Sequence, residues 1–142
     1  MNSNTELLNH IHKSAEANQD SLRQCIGISQ DNSFAKVLLD QLGEYQKIQE
    51  RSAELINDEL RQAKSVGQME KGFSNFMLTI KTVGNNKPAH IADILIKNSK
   101  DGIEDLAKKI NKYNGADSEI LDLANTLINT ETKTAEQLKR YL

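Results

Sequence analysis

The chain of 142 residues is poor in residues that interrupt or staple a fold: one proline, one cysteine, seven glycines and no tryptophan. Average usage at this length would supply roughly seven prolines and ten glycines. Aromatic residues amount to 4%, as three Phe and three Tyr. A sandwich or barrel needs frequent turns between β-branched and aromatic strands, so that class is excluded. The lone Cys25 cannot close a disulfide within the chain. No apolar run approaches the ~18 residues of a membrane span. Met1-Asn2-Ser3-Asn4-Thr5-Glu6 has neither the basic nor the apolar stretch of a secretion signal. Eighteen basic against twenty acidic residues leave a net charge of −2, which offers no field to hold a phosphate backbone. Gly-rich phosphate loops, Cys-x-x-Cys, His-x-x-x-His and Ser/His/Asp groupings are also missing. The expectation is one cytoplasmic domain over residues 1–142, with neither nucleic acid nor membrane as partner.

What is present is helical periodicity. A first helix is predicted from Asn4 or Thr5 to Ile28, with Leu8, Ile11, Ala15, Leu22 and Cys25 on one stripe. A second follows the Ser29–Ser33 turn and runs to about Lys64; its stripe is Phe34, Leu38, Leu42, Tyr45, Ile48, Ile56 and Leu60. A third spans about Pro88 to Tyr113, with proline in the first turn, where its missing N–H costs least. A fourth runs from Ser118 to the C-terminus along Leu121, Ala124, Ile128, Glu131, Ala135 and Leu138. Between the second and third lies a connection in which Met69, Phe73, Phe76, Met77 and Ile80 recur at three- and four-residue spacing. That pattern predicts a short amphipathic helix whose apolar face is a candidate interaction surface. The fold class is therefore all-α: a four-helix bundle with a small helix in its long connection. The length of that connection favours a crossover, with the second and third helices parallel.

Interior stripes should be apolar, because a buried charge is costly unless paired or metal-bound. Glu131 breaks that rule in the middle of the fourth stripe; Asn18, Gln41 and Asn98 do so on the other three. Glu16 and Glu44 flank the first two stripes at equal distance from the turn near residue 30, so an antiparallel pair would set them face to face. Glu131 and Asn98 are similarly matched about the turn near residue 115. His10 and His12 read as solvated surface, His90 and Asp93 as a local hydrogen bond at a helix start, and Cys25 as a small buried hydrophobe.

A glutamate on one helix and a second followed by a further ligand three residues on, repeated after a crossover, is the ferritin-like di-iron plan. On Asn9-His10-Ile11-His12-Lys13-Ser14-Ala15-Glu16, Glu44-Tyr45 and His90-Ile91-Ala92-Asp93, the chain resembles uncharacterised bacterial ferritin-like four-helix families. The resemblance implies a metal set of Glu16, Glu44 and Glu131, with Asp93 or Asp101 as fourth ligand, holding iron or manganese. The chain departs from it where histidine would follow each Glu by three residues: Lys47 and Thr134 stand there instead. The expectation is thus a non-enzymatic bundle without cofactor, acting through a protein partner or as a homo-oligomer such as a dimer. The alternative is a metal-binding protein with ferroxidase-type chemistry.

Overall fold

A computed structural model describes residues 2–63 and 86–142, and it is an all-α four-helix bundle. Helix α1 is Ser3–Ile28, α2 is Asn32–Ala63, α3 is Pro88–Lys112 and α4 is Ser118–Leu138; a 3-10 turn, Lys139–Tyr141, closes the chain. The boundaries fall within a few residues of those expected; α1 is capped two residues before its expected start, and α2 from within the expected Ser29–Ser33 turn. Asn2 accepts from the Asn4 N–H at 2.9 Å, and Asp31 accepts from the Phe34 N–H at 2.9 Å. Both satisfy a free donor of a first helical turn. The pattern Met69, Phe73, Phe76, Met77 and Ile80 lies outside the described residues.

Contacts at the two ends fix the topology. At one end, Asn4 donates to Glu59 near the end of α2 and to Asp117 just before α4, both at 3.0 Å. At the other, Asn86 donates to the Ile28 carbonyl at 3.1 Å, and Phe34 meets Tyr141 edge to face at 4.8 Å. Helices α1 and α4 therefore run one way and α2 and α3 the other. The chain leaves α2 at one end and enters α3 at the opposite end, so α2 and α3 are parallel, as a crossover requires.

Helix α1 packs on α2 and α3 on α4, while α1 and α2 each also pack on α4, and α1 on α3. The core joins Leu8, Ile11, Leu22 and Cys25 of α1 with Phe34, Leu38 and Tyr45 of α2, Ile91, Leu95 and Leu106 of α3, and Ile120, Leu127 and Leu138 of α4. On α4 the buried face is turned from the expected stripe. Ile120, Leu123, Leu127 and Thr134 are buried, while Leu121 and Ile128 are only partly covered. Apolar residues at 120/121 and 127/128 serve either orientation, and packing against α2 selects the one that buries Thr134. Glu131 is buried in both. No described helix is long and apolar enough to cross a membrane.

Candidate functional site

Glu131 is fully buried. Two other helices reach it, and the remaining one is joined to it through Thr134. From α1, Asn18 donates its amide to Glu131 Oε1 at 3.1 Å and also to the Ser14 carbonyl at 2.9 Å. From α3, Gly102 lies flat against the carboxylate: a β-carbon there would stand 2.7 Å from Oε1 and 3.0 Å from Oε2. Only glycine leaves room for that approach. Within α4, the Thr134 hydroxyl donates to the Glu131 carbonyl at 3.1 Å and accepts from the Tyr45 hydroxyl of α2 at 3.1 Å. Gln41, also on α2, donates to the Thr134 carbonyl and to Gln137 Oε1 at 3.3 and 3.2 Å. One polar layer thus forms around Glu131, with a contribution from every helix.

The electrostatics follow from enclosure. Burial pushes the Glu131 carboxyl up to about 7, opposed by the Asn18 hydrogen bond. Burial first, and then the charge of Glu131, raise the Tyr45 hydroxyl, with the Thr134 bond acting the other way. Tyr45 therefore stays neutral. No described cation stands against this carboxyl, and it holds its proton more tightly because the charged form is poorly solvated.

The other carboxylates named from the sequence are elsewhere. Glu16 is exposed, 3.9 Å from His12 on its own helix. Glu44 lies on a polar groove of about 270 Å³ between α2 and α4. His12 meets Ser52 and Gln19 meets Gln49, which sets Glu16 about six residues, or ~9 Å of helix, beyond the level of Glu44. Side chains lean toward the N-terminus of their own helix, so antiparallel partners sit past the positions that counting from the turn gives. Asp93 pairs with Lys97 at 3.0 Å, and Asp101 is exposed. Among the described residues no three His, Cys, Asp or Glu side chains converge as a metal ion needs. The amide, hydroxyls and glycine around Glu131 do not fit a di-iron group, which requires several carboxylates with imidazoles.

Three histidine readings change. His12 is mostly covered rather than solvated, its Nδ1 at 2.9 Å from the Ser52 hydroxyl of α2. His10 is largely buried and pairs with Asp105 of α3 at 3.0 Å. Its partner comes from another helix, and no local pattern announces it. His90 Nε2 is buried without a partner among the described residues, and the carboxylate of Asp93 is engaged by Lys97 instead. Lys47 is exposed. Cys25 is enclosed in the core, and burial pushes its thiol up to about 12. A thiol reagent at pH 8 should leave native protein unlabelled and label one cysteine per chain in denaturant; rapid native labelling would contradict the packing of α1.

Gly102 is the site residue that no sequence pattern marks, and Thr134 stands out in the sequence only as a position where a histidine is absent. No protein-family model, curated protein or solved structure matches this chain.

Proposed function

We propose that the chain is a non-enzymatic helical bundle of ferritin-like plan that acts through protein contacts or self-association. The observation that carries this reading is the closure of Glu131 by the protein's own groups. The Asn18 amide and the Gly102 backbone occupy the space where a substrate or a second set of metal ligands would stand. A polar layer of this kind pins helix register at some cost in stability, which suits a scaffold. The parallel course of α2 and α3 supports the ferritin-like plan. The face Met69, Phe73, Phe76, Met77 and Ile80, read from sequence alone, supplies the adaptable apolar contact.

Two measurements on the full chain test this. Light scattering should give a mass above the 15.9 kDa monomer that rises with concentration and collapses when those five residues are made polar. Protein loaded with Fe(II), Mn(II) or Zn(II) and then desalted should retain none. Stoichiometric metal that disappears in the Glu44→Ala/Glu131→Ala variant would overturn the reading in favour of an iron- or manganese-binding protein.

A further inference from the structure

Neither space nor backbone conformation calls for a glycine at position 115. A β-carbon there would meet only Ser3 Oγ, at 4.0 Å, and the φ angle lies outside the left-handed region. Gly115 is exposed in the turn between α3 and α4, and so is Asn114 before it. This is the one Asn-Gly pair in the sequence. The Asn114 side chain makes no hydrogen bond among the described residues. The Gly115 N–H is free in the same sense: the backbone bonds of the turn are donated by Tyr113 to Lys109 at 2.9 Å and by Ala116 to Tyr113 at 3.0 Å. A side-chain amide beside an unbonded N–H, with no β-carbon on the next residue to crowd it, can react with its own backbone. Similar groups elsewhere are held. Asp101-Gly102 lies inside α3, where the glycine N–H belongs to the helical ladder. Asn86 and Asn125 donate their side-chain amides to the Ile28 and Leu121 carbonyls.

We infer that Asn114-Gly115 is a self-modification site, at which Asn114 is hydrolysed to an aspartyl or isoaspartyl residue with water as co-reactant. The Gly115 nitrogen loses its proton to solvent base and attacks Asn114 Cγ. The side-chain nitrogen leaves as ammonia, taking up a proton, and a succinimide ring remains. Water then opens the ring. Cleavage between the nitrogen and Cγ restores the ordinary main chain with a carboxylate side chain. Cleavage at the other ring carbonyl routes the main chain through Cβ and Cγ and frees the α-carboxylate. Either product adds one negative charge, and the opening deprotonation makes the rate rise with pH. The turn is a sensitive place for this change. The new carboxylate stands at the negative end of the α3 dipole. Just beyond it, Ala116 is buried, and Asn4 clasps Asp117, accepting from its N–H at 2.8 Å and donating to its Oδ2 at 3.0 Å. An isoaspartyl link lengthens the main chain immediately before these contacts.

The test holds the freshly purified full chain at pH 8 and 37 °C beside a free peptide of residues 112–117, with proteolytic fragments followed by mass spectrometry. The expected result is a gain of one dalton at position 114, at a rate within a few-fold of the peptide's and faster at pH 8 than at pH 6. Isoaspartate in the aged chain should accept a methyl group from an isoaspartyl methyltransferase. Gly115→Ala, whose added methyl has room, should fold and should slow the gain to the background of the other asparagines. Aged protein should denature at a lower urea concentration than Asn114→Asp, which carries the charge without the lengthened chain. An intact amide at position 114 after the peptide has reacted would overturn the proposal, because the fold would then shield the pair. An equal gain in Gly115→Ala, or a gain that begins at other asparagines, would overturn it too. A urea midpoint equal to that of Asn114→Asp would overturn the coupling of this turn to the Asn4 clasp.

Discussion

Glu131→Gln should stabilise the protein at pH 8 and flatten its dependence of stability on pH. The folded-state carboxyl titrates near 7 because it is buried, whereas the ordinary value is 4.5. Between those two values the unfolded chain has released this proton and the folded chain has kept it. Stability from this group is therefore complete below pH 4.5, falls as pH rises through 7, and is constant above. The loss across that window is roughly 3 kcal/mol, at ~1.4 kcal/mol for each pH unit between the two values. The groups that face Glu131 do not compensate it: Asn18 from α1 and Gly102 from α3 are uncharged, and Tyr45 from α2 is held neutral. Glutamine keeps the shape and the oxygen that accepts from Asn18, and it has no charge to desolvate. Thermal melts from pH 5 to pH 8.5 should show wild type falling relative to the variant, with Tm at pH 8 higher in Glu131→Gln by roughly 5–10 °C, at ~2–4 °C per kcal/mol for a chain of this size. Parallel curves would mean that Glu131 is not enclosed as described. Other carboxylates, such as Asp105 against His10, contribute to both curves alike and cancel in the comparison.

The elements of this bundle were legible because each rests on a local signal. Sparse glycine and proline, a period near 3.6 and short polar turns place four helices without reference to one another. Glu131 was legible for the opposite reason: it is the one carboxylate in the middle of an apolar stripe, and an exception to a strong pattern is as informative as the pattern. Its surroundings were not. The Asn18 amide lies 113 residues away in the chain, and His10 finds Asp105 across the α1–α3 contact. Such pairs depend on helix rotation and on the crossover between α2 and α3, neither of which a single-helix stripe determines. The rotation of α4 shows the same limit, since two adjacent apolar columns are equally good until α2 chooses between them. The matching of Glu16 with Glu44 failed through geometry. Counting from a turn gives the heights of backbones, and the groups that meet are side-chain tips leaning opposite ways along antiparallel helices.

Gly102 was hidden for a further reason: a helical glycine is judged by what approaches it, and nothing in the neighbouring sequence says that a carboxylate does. Two glycine substitutions therefore make a controlled pair. Gly43 of α2 has open space where a β-carbon would go, so Gly43→Ala should raise stability by up to ~1 kcal/mol through helix propensity alone. Gly102→Ala carries the same intrinsic gain, but its methyl would stand 2.7 Å from Glu131 Oε1 and 3.2 Å from Cδ. The carboxylate must move. In a fully buried setting that means losing the Asn18 bond and crowding the polar layer, at a cost of ~1–3 kcal/mol. The net effect of Gly102→Ala should be a loss of roughly 1–2 kcal/mol, opposite in sign to Gly43→Ala. Glu131→Ala removes the obstruction, so adding Gly102→Ala to that background should be neutral or stabilising. Denaturant titrations of wild type, both singles and the double at pH 6 would then give a coupling energy of roughly 2 kcal/mol between these two positions on different helices. If Gly102→Ala is as stabilising as Gly43→Ala, or if the two changes simply add, the carboxylate does not rest on α3, and the polar layer joins α1, α2 and α4 alone.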